Sequence, residues 1–250
     1  MSTLEIVLLS AAAFFAGTVD AIAGGGGLVT VPALFATGLD PQLVYGTNKG
    51  QSVWGSGAAL VAFWRAGRID RRQAMFAFPL GFAGAALGAW LVLQIDKALL
   101  RPLAIAMLIG ATVLLLIRKP HRSEDDPGVR RPWVAAILAF VIGAYDGFFG
   151  PGTGTFLIVG FVALCGKSLV HATADAKVVN FASNLASVIT FAAHGAVVWA
   201  VAIPMAAGQL CGGLLGVRLA IKGGARLIRI AVLTVSGALV IKLVIDLVRA

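Results

Sequence analysis

The chain is dominated by long, sparsely charged apolar runs. Residues 4–23, 42–64, 73–93, 98–117, 133–149, 170–193, 196–217 and 228–248 each come near the roughly 20 residues that a helix needs to cross a bilayer. In lipid, such segments satisfy their backbone only as helices or as a closed barrel. The alternating polar pattern of an outer-membrane barrel is missing. Apolar residues make up 59% and charged residues 12%, against about 25% charged in a soluble domain. A soluble or disordered chain is excluded, and an all-α polytopic membrane protein is expected. Two further runs, 28–37 and 154–165, are too short to span alone and are flanked by glycine. They read as glycine-broken half-helices or re-entrant segments.

The halves repeat. Gly17-Thr-Val-Asp20-Ala-Ile-Ala-Gly24-Gly25-Gly26 aligns with Gly143-Ala-Tyr-Asp146-Gly-Phe-Phe-Gly150-Pro151-Gly152 at an offset of 126. Lys49 aligns with Lys177, Phe63 with Phe191, Gly67 with Gly195, and Gly84-x-x-x-Gly88 with Gly212-x-x-x-Gly216, all at an offset of 128. The first repeat is read as 1–117, a polar linker as 118–132, and the second repeat as 133–250.

Charge then orients the repeats. Arg65, Arg68, Arg71 and Arg72 crowd one loop, whereas its partner near 193–197 carries no Lys or Arg. Arg218, Lys222, Arg226 and Arg229 form another basic stretch, read as a loop at 218–229. Positive loops stay cytoplasmic. That places 65–72, 118–131 and 218–229 inside, and both termini outside. Each half then crosses an odd number of times, so the repeats are inverted. Inverted repeats with broken helices at matching positions point to a secondary transporter. The net charge of +9 lies in these loops, so nucleic acid is not expected as a partner. The N-terminus lacks a basic stretch, so a cleavable signal peptide is not expected either.

The glycine breaks carry the first functional signal. Backbone N–H groups at Gly25, Gly26, Gly27, Leu28, Gly152, Thr153, Gly154 and Thr155 sit where short helices begin, and a helix N-terminus attracts anions. The alternative is a kink that only permits tight packing. Asp20 and Asp146 precede the breaks. An intramembrane carboxylate is costly and marks either ion coupling or a structural anchor for the broken backbone. Lys49 and Lys177 lie about 10 Å into their runs among Asn48, Gln51, Asn180 and Asn184. Their roles read as substrate binding or interhelical hydrogen bonding. The glycine pairs read as packing faces, through which a homodimer could also form. Cys165 and Cys211 both lie in apolar runs, and the chain has no metal-binding or phosphate-loop motif. No cofactor, metal or catalysis is expected.

At these residues the chain resembles the TauE/SafE-type sulfite exporter family, also called the toluene-sulfonate uptake permease family. The likeness rests on Gly17 to Pro32, Gly46-Thr47-Asn48-Lys49, Gly143 to Gly154, Lys177, Asn180 and Asn184. It implies a multi-pass transporter of the bacterial inner membrane for small sulfur-containing anions such as sulfite, thiosulfate or organosulfonates. Protons are the default coupling ion, since no nucleotide-binding motif is present. An anion channel and a non-catalytic subunit of a larger complex are the alternatives.

Overall fold

The computed structural model describes residues 1–96, 98–100, 103, 106 and 132–248, with backbone alone at 224–226, 228–229 and 231–248. Most of the 98–117 run and nearly all of the 118–132 linker therefore lie outside the described residues. Among those described, the helices are α1 (Thr3–Ala23), α2 (Gly27–Phe35), α3 (Pro41–Arg65), α4 (Arg71–Gln94), α5 (Pro132–Phe148), α6 (Thr153–Cys165), α7 (Leu169–Ala193) and α8 (Trp199–Val248), with no strand.

Local chemistry sets several of these boundaries. Ser2 and Glu5 form a reciprocal capping box at the start of α1. Asp70 caps α4 by accepting from the Gln73 N–H at 3.2 Å. Gly24, at φ +79°, ends α1 with its N–H on the Asp20 carbonyl. The short runs form short helices as expected. α2 has 9 residues and α6 has 13, or about 14 and 20 Å at 1.5 Å per residue. Neither covers the roughly 30 Å hydrocarbon core.

Among the described residues, four helices are long and apolar enough to cross a membrane: α1, α4, α7 and the Trp199–Gly223 part of α8. α3 is also 25 residues long, but it is more polar, and every residue from Val44 to Gln51 is buried. Polar groups at membrane depth are tolerated where they face the bundle interior.

The 218–229 stretch, expected as a loop, is helical and continues α8 to Val248. Its Arg, Lys, Leu, Ala and Ile favour helix, and no proline interrupts it. The Gly223-Gly224 pair alone does not break the hydrogen-bond ladder. With 50 residues, α8 runs about 75 Å, more than twice the hydrocarbon thickness.

The halves interleave rather than pack as separate bodies. α1 packs on α8, and α4 packs on α5. A Cβ at Gly84 or Gly88 would collide with the carbonyl oxygen of Phe140 or Ala144. A Cβ at Gly212 or Gly216 would collide with that of Phe14 or Thr18. Phe14 and Phe140, like Thr18 and Ala144, are repeat mates, so the two contacts are the same contact with the halves exchanged. This reciprocity carries into the buried polar centre.

Candidate functional site

Two breaks in the helices meet at the centre. Gly24 and Gly154 lie backbone to backbone, and a Cβ on either would overlap the other's main chain. Only glycine permits that approach. The Thr155 hydroxyl donates to the Ala23 carbonyl at 2.7 Å, which ties the start of α6 to the end of α1.

Around this contact, each lysine reaches the aspartate of the other half. Lys49 Nζ on α3 lies 2.7 Å from Asp146 Oδ1 on α5. Lys177 Nζ on α7 lies 3.0 Å from Asp20 Oδ2 on α1. Asp146 also accepts from the Thr153 hydroxyl at 2.9 Å and from the Ser183 hydroxyl. Asp20 accepts from Asn180 Nδ2 at 3.4 Å and from the Gly26 N–H at 3.4 Å, and its own carbonyl accepts from Lys177. The pairs differ in exposure. The Asp146 side chain is 4% exposed and that of Asp20 is 14%. A buried charge persists only when paired and hydrogen-bonded, as both lysines are here.

Amides complete the centre. Asn184 accepts from Lys49 at 3.2 Å and donates to the Ser56 hydroxyl at 3.3 Å. Asn48 Oδ1 accepts from the Thr30 hydroxyl at 2.6 Å and from Gln51 Nε2 at 3.1 Å. These groups surround a cavity of about 20 Å³ lined by Asp20, Gly24, Gly27, Asn48, Lys49, Ser52, Asp146, Gly150, Thr153, Gly154, Asn180, Asn184 and Gln209. That volume holds about one water molecule.

Of the residues singled out from sequence, Asp20, Gly27, Asn48, Lys49, Asp146, Thr153, Gly154, Asn180 and Asn184 line the cavity. Lys177 and Gln51 are fully buried beside it, and Gly25, Gly26 and Gly152 lie in the breaks without lining it. Several N–H groups expected to face an anion are engaged within the protein. Leu28 donates to Gly25 O, Thr153 donates to Gly150 O, and Gly26 donates to the Asp20 carboxylate.

Gln209 carries no signal in the sequence, and Ser183 stands beside Asn184 without a role assigned to it. Gln209 is 2% exposed, and its Oε1 has no partner. Gly17 and Gly55 make room for it, since a Cβ on either would strike Gln209 atoms. Its repeat mate is Gly81, so the repeat gave no signal there. Ser183 could have been found from Asn180, one helical turn earlier on the same face.

The model of the sulfite exporter TauE/SafE family matches residues 9–243 of this chain. The chain belongs to the TauE/SafE family. It is similar to the probable membrane transporter protein ORF9 of a Sinorhizobium species, at 40% identity across 96% of this chain and 93% of that protein. It is also similar to a probable membrane transporter protein of Haemophilus influenzae, at 38% identity across 96% of this chain and 95% of that one. A third relative, the probable membrane transporter protein YfcA of Escherichia coli, is 37% identical across 98% of this chain and 92% of its own length. No solved structure matches. This TauE/SafE chain is a multi-pass membrane transporter, and the polar centre just described is its candidate site.

Proposed function

We propose that this TauE/SafE protein is a secondary transporter that moves a small sulfur-containing anion across a bacterial inner membrane, coupled to a proton gradient. The observation that carries the reading is the crossed pair of intramembrane ion pairs, Lys49 with Asp146 and Lys177 with Asp20, set where two glycine-broken helices meet. Two lysines and two carboxylates sum to no formal charge. An anion entering this centre therefore needs a carboxylate to be neutralised or moved aside. Proton uptake by a carboxylate releases its lysine to the anion, and this links the two movements.

The carboxylates divide the work. Asp20, the more exposed and less firmly held, exchanges the proton. Asp146, gripped by Lys49, Thr153 and Ser183, anchors the start of α6. Asn48, Asn180 and Asn184 orient the substrate oxygens, and the breaks at Gly25–Gly27 and Gly152–Gly154 supply N–H groups once the helices part.

A cavity of about 20 Å³ is too small for a sulfur oxyanion, so the conformation described is a closed one. The closed centre favours alternating access over an open channel. In this reading the halves lie inverted in the bilayer and rock about the Gly24–Gly154 contact.

The test is ligand-induced stabilisation of the purified protein by sulfite, thiosulfate, sulfate, sulfoacetate and simple carboxylates. Stabilisation selective for one sulfur oxyanion, greater at low pH and lost in Lys177→Met, is the expected result. Equal response to carboxylates, or none to any sulfur oxyanion, would remove the substrate assignment.

A further inference from the structure

A second cavity, of about 740 Å³, opens between α3, α7 and α8. It falls within the 300–1,000 Å³ range of ligand sites. Its walls are almost wholly apolar and include Trp54, Phe181, Trp199 and Leu210, with Arg65 and Arg218 as the cationic members. α3 and α8 run side by side in the same direction here. Gly50 lies against Trp199 and Ala202, and Gly55 lies against Gln209 and Gly213. Arg65 and Arg218 therefore stand at one end of the groove and Trp199 at the other. Both arginines are exposed, and neither has a hydrogen-bonding or ionic partner among the described residues.

The glycines and the charges of the groove are not matched across the repeat. Gly50 and Gly57 line it, and their mates in the second half are Val178 and Leu185. The two glycines that open the groove on α3 are thus branched residues at the matching places on α7. The mates of Arg65 and Arg218 are Ala193 and Trp90, both uncharged. Groove and cations break the repeat at the same place. From Gly50 to Arg65 the groove runs about 22 Å, which exceeds the roughly 15 Å depth of one bilayer leaflet.

We infer that this groove is a binding site for one anionic phospholipid, with an acyl chain laid along α3 and the headgroup phosphate held between Arg65 and Arg218. Paired guanidiniums suit a phosphate diester, and basic pockets between transmembrane helices take anionic headgroups. Trp54 and Trp199 give the chain a rigid apolar wall. A bound lipid would lie across helices of both halves.

The experiment is native mass spectrometry of the purified protein titrated with phosphatidylglycerol or phosphatidylcholine of identical chains. Wild type is expected to retain phosphatidylglycerol at least tenfold better. Arg65→Gln with Arg218→Gln should weaken that retention about 30-fold, while Arg65→Lys with Arg218→Lys keeps most of it. Ala58→Phe, which fills the groove without touching a charge, should expel both lipids. Melting curves establish that each variant is folded. A photoactivatable phosphatidylglycerol cross-linked to the wild type should label α3 and α8 peptides, a result that depends on no variant. The inference is overturned by an unchanged preference in the Gln variant, by full retention in Ala58→Phe, or by labelling confined to other helices. It is also overturned if inorganic phosphate competes as well as lipid does, or if Ala58→Phe only converts a dimer to a monomer, which would make a second copy the occupant.

Discussion

Asp146→Asn isolates the charge of the more buried ion pair. The carboxylate receives Lys49 at 2.7 Å, the Thr153 hydroxyl at 2.9 Å and the Ser183 hydroxyl. An asparagine keeps the shape and one acceptor oxygen but removes the negative charge. Lys49, whose side chain is 3% exposed, would then face only neutral acceptors, the new amide oxygen and Asn184 Oδ1 at 3.2 Å. Removing one partner of a buried pair costs about 3–5 kcal/mol. The retained amide oxygen argues for the lower end, about 3 kcal/mol. For a chain of this size that lowers the apparent melting temperature by about 10 °C. Lys49→Met alone should cost a similar amount, because it strands Asp146. The double variant removes both charges and should recover at least half of the loss. The assay is melting of the purified protein in one detergent for all four members of the cycle. Single variants as stable as wild type, or a double variant no better than the sum of the singles, would refute the pairing argument.

Other outcomes follow from the same geometry. Gly24→Ala should prevent assembly, because the new methyl overlaps Gly154 at a positive φ. Gly38→Ala, at φ +77° with nothing within 4 Å, should cost only about 1 kcal/mol of backbone strain, and the comparison is read by yield and melting. Lys167 bridges Asp70 at 3.3 Å and Asp175, and the Asp70 N–H donates to Asp175 at 2.9 Å. Lys167→Met should therefore raise hydrogen exchange around Asp70. Thr47→Val should do less at the matching place in the other half, where one hydroxyl accepts the Val198 N–H at 3.0 Å. Gln209→Leu should raise the transport KM about tenfold with little change in melting temperature, since the amide faces the cavity and lacks a partner for Oε1.

Much of the architecture was legible because lipid leaves a chain few options. The described apolar runs gave helices, and the two short runs after glycine gave helices of 9 and 13 residues. The polar centre was legible as a set of residues and not as a set of contacts. Lys49 and Asp146 are far apart in sequence, and periodicity does not say which helix faces which. Symmetry would have helped only in part, for it requires that any Lys49–Asp146 contact be mirrored by Lys177–Asp20 without establishing either. Gln209 escaped because its mate is Gly81 and it stands alone in an apolar run, so nothing in the repeat marked it. The 218–229 stretch misled because its basic residues suit a cytoplasmic loop and a helix equally well, and only backbone geometry separates the two.

The central claim is that the crossed ion pairs bind and move a sulfur oxyanion with a proton. Its most direct test is uptake of radiolabelled sulfite into proteoliposomes under an imposed inward proton gradient. Wild type should show saturable, gradient-driven flux. The Lys49→Met, Asp146→Asn double variant, which regains stability without the charges, should show none. Flux in the double variant equal to wild type, or wild-type flux indifferent to the gradient, would contradict the account.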